Sequence, residues 1–268
     1  MNDLILYTVL GREALASLDC PRVELLLDHE PTLPTDWRGW AVAIHAHVLL
    51  PGCTKHSSAG RDYANLAALD EALYRQSLDM ARRSLQVALD VGARVLVIHQ
   101  GKTREPTLPG RHERLVAALT TLADQAAGSD LTICVENMPA PWGYSFEEWR
   151  SLPADVDRPN VALCLDVSHA AFTARHRAAG PAAREALLWA HLDAAPIRHV
   201  HWSDDHLVDG HGTHLHLSLG RGSLPRAFHQ AIARLPATKS LEIVSLLRDG
   251  DVALARANLE AAEELRRG

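Results

Sequence analysis

The sequence predicts a closed (β/α)8 TIM barrel, an α/β fold forming one domain over residues 1–268. Three observations lead there. Eight short apolar runs recur along the chain, amphipathic stretches separate the later ones, and acidic or imidazole side chains stand at the C-terminal end of run after run. Each run is nearly continuous in apolar residues rather than alternating, as parallel strands buried on both faces require. An open doubly wound sheet would spread the polar residues along an edge; a barrel gathers them at one mouth.

In chain order, strands are expected at 4–9, 23–27, 42–47, 94–99, 131–137, 161–166, 197–202 and 240–244. Helices are expected at 66–91, 111–127, 146–151, 181–192, 224–233 and 252–267. The first of these is the clearest pattern and stops at Gly92, a residue suited to a left-handed C-cap. The first two units leave little room for helices, and the prolines within 31–34 mark a loop. No Gly/Ser linker or low-complexity segment divides the chain.

A hydrophobic share of 47% with 22% charged residues suits a globular chain with a full core. The net charge of -6 argues against a general nucleic-acid-binding surface. Cys20, Cys53, Cys134 and Cys164 stand singly, and Cys134 and Cys164 lie inside apolar runs, so they are expected buried and reduced. The opening MNDLILYTVLGRE carries an acid and only a short apolar run, so no signal peptide is read. No stretch approaches the roughly 20 apolar residues of a membrane span, and the expected location is cytoplasmic.

The polar residues at the strand ends form the candidate site. The third strand delivers His45 and His47, the fourth His99, and the fifth Glu136. The sixth delivers Asp166 and His169, the seventh His201 with His214 and His216 in its loop, and the eighth Glu242. Histidine with carboxylates and no cysteine is the donor set of a divalent ion in a catalytic site. A single histidine at a strand end is more often a hydrogen-bonded core residue; recurrence over successive strands is what points to metal. A carboxylate closing an apolar strand buries charge at substantial cost unless it is paired or metal-bound. His47 and His199 share strand parity with His45 and His201 and read as buried polar residues. His112, His176, His191 and His229 fall in helical or loop stretches and read as surface residues. Pocket walls are expected from Tyr63, Trp142, Trp202 and the 49–62 loop, with Lys102, Arg104 and Arg221 placed to grip a phosphate.

The segments VENM around Glu136, CLDVSHA around Asp166 and His169, HVHWSDD around His201, HLHLSLGRGSL around His216 and LEI around Glu242 resemble the xylose-isomerase-like barrel superfamily. That superfamily holds sugar and sugar-phosphate isomerases and epimerases, together with the endonuclease-IV-like abasic-site nucleases (AP endonuclease family 2). The resemblance runs over nearly the whole chain, most clearly from the third strand onward. In the epimerase branch it implies one divalent ion on Glu136, Asp166, His201 and Glu242, with His169 contacting substrate. Manganese or zinc suits that set first, with magnesium or cobalt as further fits. In the nuclease branch it implies three zincs, recruiting His45, His99, His169, His214 and His216 as additional ligands. One departure stands out: His214 occupies the place where the family usually carries aspartate. The 49–62 loop is also longer than in the nucleases and offers no aromatic wedge for unstacked DNA.

The leading expectation is therefore a divalent-metal-dependent isomerase or epimerase of a small sugar, sugar phosphate or related hydroxy-carbonyl compound. Glu136 and Glu242 would exchange the carbon-bound proton through a metal-bound enediolate. The alternative is an endonuclease-IV-like multinuclear zinc phosphodiesterase acting on abasic DNA, disfavoured here by the acidic balance. A third reading is a non-catalytic barrel whose histidines merely collect metal. A small-molecule partner is expected, with neither nucleic acid nor membrane.

Overall fold

The structure, a computed structural model, describes residues 3–7, 12–20, 22–27, 37–48, 50, 63–101, 108–140, 144–208, 210 and 214–268. Lys102, Arg104, Trp142, Cys53, the prolines within 31–34 and nearly all of the 49–62 loop lie outside the described residues. Eight strands close into a barrel in sequence order: β1 (Leu4–Tyr7), β2 (Val23–Leu26), β3 (Ala41–His45), β4 (Val95–His99), β5 (Thr132–Glu136), β6 (Val161–Asp166), β7 (Ile197–Trp202) and β8 (Thr238–Leu241). Every neighbouring pair is parallel, and β8 closes on β1.

The outer layer comprises α1 (Arg12–Ser17), α2 (Glu71–Val91), α3 (Arg111–Gln125), α4 (Phe146–Val156), α5 (Val167–Arg177), α6 (Pro181–Leu192), α7 (Arg226–Arg234), α8 (Val244–Asp249) and α9 (Val252–Arg267). Among the described residues no helix is long and apolar enough to cross a membrane. Helix α2 begins at Glu71 rather than residue 66, because the Asp70 side chain caps it by accepting from Leu73 N at 2.8 Å. It ends as expected at Gly92, whose φ of 73° needs no Cβ. Helix α4 runs on through Pro153 to Val156, beyond the expected end at residue 151, although proline removes a helical N–H. Helix α5 carries no amphipathic signal because nearly every residue from Val167 to Arg175 is buried, so periodicity could not reveal it.

The eighth strand starts at Thr238, earlier than expected, and ends before Glu242. Its start looks polar in sequence, but Lys239 is buried with its ammonium donating to Asp3 Oδ2 at 2.8 Å and to two backbone carbonyls. Two histidines expected at the surface are buried. His191 packs beside Phe146 and Trp149, and His229 accepts a hydrogen bond from Trp202 Nε1 at 3.0 Å. Trp202 therefore faces α7 in the outer core and does not wall the mouth.

Two cores result. The large one lies between strands and helices. The small one fills the barrel interior with Ile5, Ala43, Val95, Val97, Cys134, Ala162 and Cys164. Strand side chains alternate in and out, so the inward residue two places further along points to the same axis. Above Ala43 comes His45, above Val97 His99, above Cys134 Glu136, above Cys164 Asp166, and above Ser240 Glu242. The inward face changes from apolar to donor-bearing at the mouth.

Candidate metal centre at the barrel mouth

Glu136 sits at the middle of the cluster. Its Oε2 lies 2.9 Å from His99 Nε2, 3.3 Å from His45 Nε2 and 3.6 Å from His201 Nδ1. Its Oε1 lies 3.1 Å from His169 Nδ1. On the other side, His201 Nδ1 stands 3.0 Å from Glu242 Oε2 and 3.8 Å from Asp166 Oδ2, and His216 Nδ1 is 3.9 and 4.0 Å from the same two oxygens. Every residue in the expected donor set meets here except His47. Three groups each have their own donor atoms within 4.8 Å of one another, the first two sharing Glu136: His45, His99 and Glu136; Glu136, Asp166 and His201; and His169, His214 and His216. A further group, Asp166, His216 and Glu242, links the last two.

Local structure aims these side chains. Asp166 ends β6 and also caps α5, accepting from His169 N at 2.8 Å, so the D-x-x-H spacing places both donors on one helix N-terminus. His216 has a φ of 44°, a left-handed conformation that an L residue adopts at a cost of about 1–2 kcal/mol. Ser168 Oγ accepts from His216 N and Leu215 N at 3.0 and 3.1 Å, and Asp205 Oδ2 accepts from Leu215 N at 2.8 Å. Asp205 is in turn bonded to Ser168 Oγ and, at 2.7 Å, to Arg175 Nη1. The strained residue is thus tied from two elements, as strain at a working site requires. The Gly220-Arg221-Gly222 turn serves the same loop: both glycine N–H groups donate to Asp204 Oδ2, at 3.0 and 2.9 Å. A Cβ on Gly222 would strike the Asp205 carbonyl and the Asp204 carboxylate. Arg221 itself is exposed, and Tyr63 is half-buried.

Sequence reasoning missed Glu24, Ser168, Arg175 and Asp205. Glu24, mid-strand in β2, is 0% exposed, and its two oxygens lie 2.9 Å from His199 Nε2 and 3.1 Å from His201 Nε2. The available signal was an acid at the centre of the apolar run VELL, where burial demands a partner. His199 is the buried polar residue its parity suggested.

The electrostatics follow from packing acids and imidazoles together. Burial alone would raise the Glu136 carboxyl, but His99 and His201 outweigh it and hold it well below the usual carboxylate range. Asp166 is lowered against burial by His169 and His216. Burial opposes charge on His169, yet Asp166 and Glu136 push it up to about 9. His214 goes the other way, to about 3, through burial and the neighbouring imidazoles of His169 and His216.

The donor chemistry fits a divalent cation. Asp166 Oδ2, His201 Nδ1, His216 Nδ1 and Glu242 Oε2 are all buried without a hydrogen-bond partner, although they face one another. Carboxylate oxygens and bare imidazole nitrogens are all acceptors, so a shared cation is the natural partner for all four.

A parallel eight-stranded barrel with a candidate metal centre at its C-terminal mouth defines the class, a TIM barrel. Within that class, the chain belongs to the xylose isomerase-like TIM barrel family, whose model matches residues 13–264. It is similar to a probable endonuclease 4 of Solibacter usitatus, 31% identical over 169 residues. That match covers 59% of this chain and 57% of the relative, so it spans little more than half the relative's length. Among solved structures, an L-ribulose 3-epimerase superposes with a TM-score of 0.68 at 15% identity, covering 98% of this chain and 95% of the other. Endonuclease IV from Thermus thermophilus superposes with a TM-score of 0.67 at 20% identity, covering 98% and 99%. The fold is thus shared with proteins named for two different activities.

Proposed function

We propose that the protein is a metal-dependent phosphodiesterase with more than one ion, and that abasic DNA is the first substrate to test. One observation carries this reading: Glu136 joins two donor groups, His45 and His99 on one side and Asp166 and His201 on the other. A single-ion isomerase has use for the second group only. The similarity to a probable endonuclease 4 supports the same reading.

When bound, divalent ions would supply Lewis-acid stabilisation and an acidified water for in-line attack at phosphorus. Glu136, Asp166, His201 and Glu242 would hold the central ion, His45 and His99 an ion beside Glu136, and His169, His214 and His216 a third. Zinc suits the imidazole-rich groups, and manganese the carboxylate-rich one. Glu136 spans the groups and holds them in register, and its depressed pKa keeps it anionic at neutral pH. The Ser168–Asp205 tie fixes His216 on the far side.

A second reading, a sugar isomerase or epimerase, is favoured by the set Glu136, Asp166, His201 and Glu242, which is complete for one ion. There the Glu136 and Glu242 carboxylates would exchange a carbon-bound proton of a ketose. Elemental analysis of the loaded protein, with assays on an abasic-site oligonucleotide and a ketose panel, tests both. Two or three ions per chain with strand cleavage supports the phosphodiesterase; one ion with deuterium exchange into a ketose and no cleavage overturns it.

A further inference from the structure

Glu24 is the buried acid that the donor groups leave unexplained. It stands in the middle of β2, below the mouth, with each carboxylate oxygen on a different histidine of β7: Oε2 on His199 Nε2 at 2.9 Å and Oε1 on His201 Nε2 at 3.1 Å. We propose that Glu24 is a positioning residue for the metal centre, holding His201 in the one tautomer and ring orientation that leaves Nδ1 bare and aimed at the ion. The inference rests on the metal reading of the centre.

The placement of the hydrogens decides the tautomer. A carboxylate only accepts, so the Nε2 atoms facing Glu24 both carry protons. A neutral imidazole with its proton on Nε2 presents a lone pair on Nδ1. That Nδ1 has no hydrogen-bond partner and faces Glu242 Oε2 at 3.0 Å, Glu136 Oε2 at 3.6 Å and Asp166 Oδ2 at 3.8 Å. Tyr7 and His45 stack against the His201 ring at centroid distances of 5.7 and 5.6 Å. Stacking restrains tilt but accepts a flipped ring equally well, so the Glu24 bond is what distinguishes the two edges of the imidazole. His199 occupies the second oxygen and fixes the carboxylate plane. A carboxylate behind a ligating histidine orients the ring and raises its basicity, and removing such a partner weakens metal affinity by about 10–100-fold.

The test uses Co2+ titration of the full chain, read by its visible absorption and by chelator competition, with circular dichroism as the check on folding. In Glu24→Gln the amide offers one oxygen and one NH2 group to two N–H donors, so one ring must change tautomer. The expected result is Co2+ binding weakened about 10–100-fold with an altered spectrum, while His199→Gln, which keeps the Glu24–His201 pair, stays within about twofold of wild type. Should Glu24→Gln not fold, Glu24→Asp keeps the charge but withdraws it by one methylene, and the same weakening is expected. Wild-type affinity in the folded Glu24 variant, or equal weakening in His199→Gln, overturns the positioning role. A wild-type protein that binds no Co2+ overturns the metal reading and this inference with it.

Discussion

His99 Nε2 stands 2.9 Å from Glu136 Oε2, directly across the β4–β5 ladder where the two residues are register partners. His45 reaches the same oxygen at 3.3 Å, while the other oxygen faces His169 at 3.1 Å. One carboxylate therefore looks toward two sets of imidazoles, and the proposal of more than one ion rests on that relationship.

Replacing His45 and His99 together with alanine should remove one ion per chain and leave the remainder bound. Elemental analysis against wild type measures this. Unchanged metal content would mean that the pair serves only as hydrogen-bond partners of Glu136.

Glu136→Gln or Glu242→Gln should cut turnover by at least about 10²–10⁴-fold while the far-ultraviolet circular dichroism stays native. Both readings of the reaction demand this, so substantial activity in both variants would remove the centre from the chemistry.

Metal uptake should release protons. Without metal, His169 is raised to about 9, so it holds a proton at neutral pH that ligation must displace. Apparent affinity should rise with pH, by about tenfold per unit for each proton displaced, and the His169 share should level off near pH 9. Adding Zn2+ to weakly buffered, chelator-treated protein at neutral pH should acidify the solution; a flat trace contradicts the assignment.

Asp205→Asn should destabilise the fold by about 3–5 kcal/mol in urea unfolding, because it breaks a buried pair and leaves Arg175 charged in the interior. A loss below about 1 kcal/mol would show that the tie on the His214–His216 segment is dispensable.

His191 gives an acid-dependent contribution remote from the metal centre. It is 2% exposed, and burial lowers it from 6.5 to about 4, partly offset by its Nδ1–H donating to Leu187 O. The folded state thus binds fewer protons than the unfolded state. The resulting stability is complete above pH 6.5 and declines as pH falls toward 4, by up to about 3 kcal/mol. His191→Phe, which keeps an aromatic ring beside Phe146 and Trp149, should flatten the difference in urea midpoints between pH 7 and 4.5; equal slopes in both proteins would refute it.

The barrel and the residues of its rim are legible in the order of the amino acids. Continuous apolar runs specify strands buried on both faces, and donors after successive runs can converge only if those strands close on themselves. Gly92 and Asp166 were legible for the same local reason, since caps and strand ends act within a few residues. Which side chains meet depends on contacts between distant parts of the chain. Glu24 lies 175 and 177 residues from the two histidines it holds, and barrel closure alone brings β2 to face β7 across the axis. Helix α5 escaped periodicity because it is buried all round, and Lys239 hid a strand start because its charge is neutralised by Asp3 from the other end of the chain. The His-rich stretch of β7 and its loop became part of a shared centre, since strand parity turns His201 inward and Trp202 outward, and a clamp from α5 fixes His216.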